Sequence, residues 1–391
     1  MSQYGLDTQF RMYRAALSGQ LQWDWPVDVK EWRRMAKNSM SKPAWGYLEG
    51  SAGTEGTRRE NRRAFERIRI RSRMLQDVSD RDLTTDLLGQ HLMAPFLLAP
   101  IGVQEIIHRE GDLASATAAR VSGVPYVLST VSSHAIEAVA DVMGDATRWF
   151  QLYPGRDPEV VKSLVRRAEQ AGYSALVVTV DTTMLGWRPR DLKNLYLPFL
   201  LGQGIANFIS DPVFCARLKR PPHEDMMAAI QEFLSIYVYP GFTWRDLKAL
   251  VQGTALPVLV KGLTHPDDAK RAEAIGAQGV IVSNHGGRQV DGGIGAIDAL
   301  PRVRQAVGDD FLILMDSGIR SAQDVLKAVA LGAQAVLIGR PYAYALAVGG
   351  QAAVVELLNQ LLAEVDLQLA LSGYAAVKDI GPDYVACDHS R

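Results

Sequence analysis

From residue 93 onward the chain alternates short, almost wholly apolar runs with longer stretches of helical spacing. The runs cover residues 95–100, 126–129, 149–153 and 175–181. After a long interruption they resume at 257–261, 279–284, 311–316 and 335–339. Between them, residues 158–171, 266–275 and 321–331 place apolar side chains three and four apart, the period of a helix with one buried face. Runs that are apolar at every position predict strands covered on both faces, as in a parallel sheet. Eight such strands alternating with helices predict an α/β chain closed into a (β/α)8 barrel, the TIM barrel. An open doubly wound sheet is the rival arrangement, but no G-x-G-x-x-G follows the first run.

The same pattern divides the chain. Residues 1–92 read as an N-terminal helical segment packing on the barrel, with a polar lead-in, a helix over 28–39 and a small-residue stretch over 41–56 around Tyr47. Residues 93–391 read as the barrel with its C-terminal helices, all within one overall domain. Residues 192–242, after the fourth strand, are too many for an ordinary βα loop. They lie on the face that carries the βα loops, which predicts a lid. Tyr196, Phe199, Phe208 and Phe214 are its expected water-excluding side chains, and its interleaved polar residues argue against a membrane-touching patch.

Polar residues cluster where the apolar runs end. Gln151, Tyr153, Thr179, Asp181, Lys261, Ser283, His285, Asp316 and Arg340 all stand at or just past a strand's C-terminal end, which is the catalytic face of such barrels. The densest case is 282–293, VSNHGGRQVDGG, where a buried strand ends in His285 and Arg288 follows three residues later. A carboxylic acid substrate needs both, an acceptor for its proton and a fork for its carboxylate. Taken alone, the stretch also fits a strand, a glycine turn and a core histidine. Two further glycine loops, 316–320 (DSGIR) and 338–341 (IGRP), follow the seventh and eighth strands. Exposed amides and arginines there form a phosphate cradle, so the ligand expected is a phosphate-bearing cofactor or substrate.

Composition narrows the classes. The chain has 391 residues, 48% hydrophobic and 22% charged, with a formal net charge of -1. That balance gives no general attraction to nucleic acid or to an anionic membrane. The arginine-dense stretch 58–73 lacks an aromatic ladder and reads as a solvated, salt-bridged face. Cys215 and Cys387 match no metal-site spacing, and their scarcity points to a reducing cytoplasm. Residues 1–14 have no signal-peptide core, and no wholly apolar run reaches the ~18 residues of a spanning helix. His108, His134 and His265 read as structural or exposed, and Cys215, with no base near in sequence, is not read as a nucleophile.

The segments FQLY, TVDT, LVKG, SNHGGRQ, DSGIR and LGAQAVLIGRP stand in one order from about residue 32 to residue 380. With them the chain resembles the FMN-dependent L-2-hydroxy acid oxidising family. The resemblance implies FMN as cofactor and a small 2-hydroxy acid with O2 as substrates. It implies His285 as the proton-accepting base and Asp181 as its partner. Arg288, Tyr47 and Arg188 are implied at the substrate carboxylate and Tyr153 at its hydroxyl. For FMN it implies Lys261 at the N1/C2 edge, the backbone of Pro100, Ile101 and Gly102 on the ring, and Ser129, Gln151 and Thr179 at its polar edge. Ser283 is implied near the flavin or ribityl chain. Asp316, Gly318, Arg320, Gly339 and Arg340 are implied at the ribityl chain and phosphate.

Gly102, the stretch 186–191 (GWRPRD) and the interruption resemble the lactate 2-monooxygenases of that family in particular. The implied outcome is L-lactate and O2 to acetate, CO2 and water, with an oxidase releasing pyruvate and peroxide as the alternative. A dehydrogenase passing electrons elsewhere and a barrel that binds flavin or phosphate without catalysis are the other readings. The resemblance also implies a homotetramer or homo-octamer.

Overall fold

The computed structural model of the chain describes residues 3–387. Eight parallel strands close a barrel: β1 (Phe96–Leu98), β2 (Tyr126–Ser129), β3 (Arg148–Leu152), β4 (Leu176–Thr179), β5 (Val258–Leu263), β6 (Gly279–Val282), β7 (Leu312–Met315) and β8 (Ala335–Ile338). Neighbours in sequence are neighbours in space, and β8 closes on β1 with Leu337 opposite Leu97. All eight expected strands are present and in order.

Alternation along each strand makes two cores. Leu97, Val127, Trp149, Val177, Leu259, Ile281, Leu314 and Leu337 point inward and fill the barrel. Phe96, Leu98, Leu128, Phe150, Val178, Val260 and Val282 point outward beneath the helices. Side chains two residues apart share a face, so Gln151, Thr179, Lys261, Ser283 and Asp316 continue the inward rows above the apolar layer. A hairpin, Thr85–Leu87 with Gln90–Leu92, stops the opposite end, where Leu87 and Leu92 join the inner core. The polar rows thus line the other mouth of the barrel.

The helices form for local reasons. In Pro158–Gln170 the Asp157 carboxylate accepts from the Glu159 and Val160 amides at 2.8 and 3.2 Å, and Pro158 takes the first turn. Its buried face carries Val160, Leu164, Val165 and Ala168. The helix Arg340–Leu371 is long and apolar enough to cross a membrane by length and composition, which a search for unbroken apolar runs did not reveal. It is kinked at Gly349–Gly350 and lies largely buried against the helices Tyr4–Ala15, Val29–Ser39 and Gly111–Val121. Its Glu356 and Asp366 pair with Arg11 and Arg81. It is thus a core helix of the outer ring.

The N-terminal residues hold more helix than the pattern suggested. Tyr4–Ala15 lies in the stretch read as a polar lead-in, and Lys42–Glu49 in the small-residue stretch; Val29–Ser39 matches the expected helix. Gly56–Arg67 carries five of the arginines, of which Arg58 pairs with Glu49 and Glu55, Arg62 with Asp324, and Arg67 with Glu60 and Asp298. Glu49 itself is buried, held by Arg33 at 2.8 Å, by Arg58, and by the Tyr344 hydroxyl at 2.6 Å. Removing one partner of a buried ion pair costs about 3–5 kcal/mol, so Glu49 fixes the helix Lys42–Glu49 on the barrel.

The interruption after β4 has a core of its own. Phe199, Phe208, Phe214, Phe233 and Tyr237 pack with ring centroids 4.8 to 5.7 Å apart. Asn207 is buried and its side chain bonds Ser129 O, Thr130 O, Ser132 Oγ and Ile136 N at 2.9 to 3.2 Å. Arg167 adds bonds to Asn207 O and Asp211. The segment is a roof pinned to the barrel and not a loose flap. Phe208 and Phe214 belong to its interior, a correction to their expected place over the site; Phe199 and Tyr237 reach the cavity below.

Candidate active site

The polar mouth opens on one elongated cavity. It is lined by Tyr47, Pro100, Ile101, Gly102, Tyr153, Arg188, Lys261, His285, Arg288, Asp316, Gly318, Arg320, Gly339 and Arg340, so fourteen of the expected site residues meet there. Asp181 stands directly behind His285. Ser129, Gln151, Thr179 and Ser283 form a buried layer behind the wall and are satisfied by one another and by Lys261: Ser129 Oγ to Gln151 Oε1 is 3.2 Å, Gln151 Nε2 to Thr179 Oγ1 3.0 Å and Lys261 Nζ to Ser283 Oγ 3.1 Å.

At the β3, β4 and β6 end the geometry assigns protons. His285 Nδ1 lies 2.7 Å from Asp181 Oδ1. An ionised carboxylate only accepts, so Nδ1 carries the hydrogen and Nε2 keeps its lone pair. Nε2 faces the Tyr153 hydroxyl at 3.5 Å. Thr182 Oγ1 donates to Asp181 Oδ1 at 3.0 Å, a contact the sequence did not single out. His285 sits at φ 58°, uncommon for a residue with a side chain and frequent at functional sites. Glycine at 287 is required, because a Cβ there would stand 2.6 Å from the Arg58 amide nitrogen.

Electrostatics sharpen the pair. Burial, reinforced by the charges of Lys261 and Arg188, holds the His285 pKa below its ordinary value against the pull of Asp181. Burial also pushes Asp181 up, but the His285 and Lys261 charges and the hydrogen bonds outweigh it, and its pKa is lowered. Burial and the charge of Asp181 push Tyr153 well up, so it keeps its proton and can donate. The result is a neutral base, an ionised partner and a phenol donor around one point.

Cations surround this pair. Arg288 bonds through Nη1 to the carbonyls of Tyr47 and Gly50 at 2.7 and 2.8 Å and lies over the Tyr47 ring. Arg188 bonds Arg288 O and Gln289 Oε1 at 3.1 and 3.0 Å. Neither guanidinium contacts a carboxylate among the described residues. Leu185, Phe199 and Tyr237 supply an apolar wall beside them, and of these only Phe199 was expected. Tyr237 stacks edge-on to Tyr153, with centroids 5.6 Å apart.

The β7 and β8 end has the donors and the open glycine positions that a phosphate cradle needs. Among the described residues the Arg320 guanidinium bonds Ile319 O, and Arg340 bonds the carbonyls of Leu48, Gly50 and Gly286 and the Ser51 hydroxyl. Burial pushes the pKa of both down, the mark of cations short of an anion. Gly339 has open space where a Cβ would point, with only Ala99 Cβ at 3.9 Å, and Gly318 adopts φ 106°. Between the two ends, Lys261 lies 3.0 Å from Asp316, and despite its burial that carboxylate raises its pKa. Two uncompensated arginines, a permanent ammonium and a slot between them fit a flat cofactor with a phosphate tail.

Comparison with known proteins identifies that cofactor. The FMN-dependent dehydrogenase family matches residues 36–387. An L-lactate oxidase of Lysinibacillus sphaericus (strain C3-41) is 42% identical over 355 residues, covering 91% of each chain. Glycolate oxidase of Spinacia oleracea is 38% identical over 93% of this chain and 96% of its own. The crystal structure of a mandelate oxidase superposes with a TM-score of 0.82 at 38% identity, covering 92% of this chain and 98% of that one. The barrel, the cradle and the match over nine-tenths of the length agree: this chain belongs to the FMN-dependent dehydrogenase family.

Proposed function

We propose that the chain oxidises small L-2-hydroxy acids, L-lactate first among them, with FMN as cofactor and O2 as the final electron acceptor. The observation that carries this reading is the His285–Asp181 contact at 2.7 Å, with Nε2 free toward a cavity that also holds Arg188 and Arg288. Relatives named L-lactate oxidase, glycolate oxidase and (S)-2-hydroxy-acid oxidase support the substrate class.

Each side chain then has a task. Arg288, with Arg188 and Tyr47, grips the carboxylate and sets the 2-hydroxyl toward His285 Nε2. His285 takes a proton from the substrate, and Asp181 steadies the imidazolium without taking the proton itself. Tyr153 donates toward the same oxygen. Leu185, Phe199 and Tyr237 accept the 3-methyl group and exclude water. FMN bound in the cradle would supply two-electron redox chemistry, with O2 as the final acceptor. Lys261 keeps a positive charge beside it, and Arg320 and Arg340 hold its phosphate.

We further propose the monooxygenase outcome, L-lactate and O2 to acetate, CO2 and water. The support is the pinned roof: a segment held by Asn207 and Arg167 slows the exit of the 2-oxo acid, which keeps it beside the peroxide formed on reoxidation. The names of the relatives favour the other outcome, release of pyruvate and peroxide. Aerobic turnover of L-lactate without catalase separates them. Acetate and CO2 with little peroxide support retention, whereas one pyruvate and one peroxide per O2 would make the enzyme an oxidase and leave the substrate reading intact. A cytoplasmic place and a homotetramer or homo-octamer belong to the same proposal, resting on cysteine usage and on resemblance.

A further inference from the structure

The helix Tyr4–Ala15 takes no part in the cavity. Its inner face docks on the helix Arg340–Leu371: Gly5 N donates to Asp366 at 2.8 Å, Arg11 pairs with Glu356 at 3.1 Å, and a Cβ on Gly5 would collide with Leu367. The outer face is the unusual one. Leu6, Phe10 and Tyr13 are 40%, 52% and 71% exposed, and Leu17, in the 3-10 turn Ala16–Ser18 that continues the helix, is 87% exposed. Single exposed apolar residues are ordinary. Four of them at spacings of four, three and four make one continuous stripe, the pattern of a helix that packs on another helix.

The charges beside the stripe select the partner. At about 100° per residue, Asp7 and Arg14 both fall on the same flank, about 80° from the stripe's centre. Both are exposed, and neither pairs with a charged side chain among the described residues. Two copies of this helix packed antiparallel about a two-fold axis bring equal flanks together. Leu6 then meets Leu17 of the other copy, Phe10 meets Tyr13, and each Asp7 falls near the opposite Arg14. Parallel packing would instead put these flanks on opposite sides of the pair and leave Asp7 and Arg14 without charged partners. A lipid surface is the other apolar occupant, but this flank carries one acid and one base, without the lysines and arginines of interfacial helices.

We propose that the Leu6–Phe10–Tyr13–Leu17 stripe is a self-association surface, joining two copies of this chain through antiparallel N-terminal helices with two symmetric Asp7–Arg14 pairs. It is independent of the reaction assigned above.

The test is sedimentation velocity of the FMN-loaded full chain over about a hundredfold concentration range, where mass action reveals the association step. The native chain should show a step that doubles the mass of its smaller species, and Phe10→Glu/Tyr13→Glu should abolish that step with FMN content unchanged. Asp7→Arg should shift its midpoint by roughly tenfold, and Asp7→Arg/Arg14→Asp should bring it back to within about threefold of the native chain. The proposal is overturned by absence of the step, by a step that survives Phe10→Glu/Tyr13→Glu, or by a charge exchange no better than Asp7→Arg alone. Co-sedimentation with phosphatidylglycerol vesicles in place of self-association would assign the stripe to lipid and overturn it as well.

Discussion

At the β7 and β8 end of the cavity, Arg320 and Arg340 lie half-buried and bond carbonyls and one serine hydroxyl among the described residues. At the β3, β4 and β6 end, His285 and Asp181 face each other at 2.7 Å, a neutral imidazole donating to a carboxylate. The first end is charged in excess, so its stability and its affinity are tied to an anion that must arrive from outside. The second holds a hydrogen-bonded pair with one lone pair, on His285 Nε2, left for a substrate proton, beside two guanidiniums, Arg188 and Arg288, that contact no carboxylate among the described residues. An end built for holding presents unmet charge alone, whereas an end built for proton transfer adds to its unmet charge a hydrogen-bonded pair with one site left open.

That contrast can be broken from either side. His285→Gln should lower the rate of flavin reduction by L-lactate by about 10²- to 10⁴-fold, the usual range for a general base. FMN content, read from the visible spectrum, should stay unchanged; loss of colour would mean that the two ends are not separable. Arg340→Ala is the converse. Removing a charged hydrogen bond to phosphate should weaken FMN binding by about 10- to 100-fold, while the rate at saturating FMN stays near native. A drop in that rate would assign Arg340 to the chemistry.

Smaller changes sharpen the comparison. Arg288→Lys should raise KM for L-lactate by roughly tenfold, because an ammonium does not reproduce the guanidinium fork; steady-state kinetics would show whether FMN retention is spared. The pH profile is the mildest test. Burial, with Lys261 and Arg188, holds the His285 pKa below its ordinary value of 6.5, so the imidazole stays neutral to lower pH. The acid limb of kcat/KM should therefore lie below pH 6.5, and Asp181→Asn, which removes the charge that raises the pKa, should move it lower still. An acid limb above 6.5 would mean that the Asp181 charge outweighs burial.

Much of this was legible in sequence for one physical reason. Inside a barrel the inward positions recur every second residue, so the apolar inner layer and the polar top layer share a phase. Trp149 leads to Gln151 and Tyr153, Val177 to Thr179 and Asp181, Leu259 to Lys261, and Ile281 to Ser283 and His285. A polar residue in phase with a buried strand, just past its end, reads as a site residue before any coordinates exist.

What lies outside such strands was harder to see. The helix Lys42–Glu49 holds a proline and a glycine, and it is fixed by the distant partners Arg58 and Tyr344 of Glu49. The helix Tyr4–Ala15 turns its apolar stripe outward, so no buried face marks it. The roof's helices Ala206–Ile209 and Pro212–Cys215 are too short to show a period. The inward reach of Tyr237 and the packing of Phe208 and Phe214 away from the site follow from tertiary contacts alone. Thr182 was passed over because a threonine next to an aspartate carries no signal of its own.

The most direct measurement is an anaerobic one. The FMN-loaded chain is mixed with L-lactate, and separately with D-lactate, while the oxidised flavin absorbance is followed. A base at His285, a carboxylate grip at Arg288 and a cofactor held across the cavity from both predict rapid, complete bleaching by L-lactate and almost none by D-lactate. A flavin that stays oxidised with L-lactate and with every other small L-2-hydroxy acid would contradict the account at its centre.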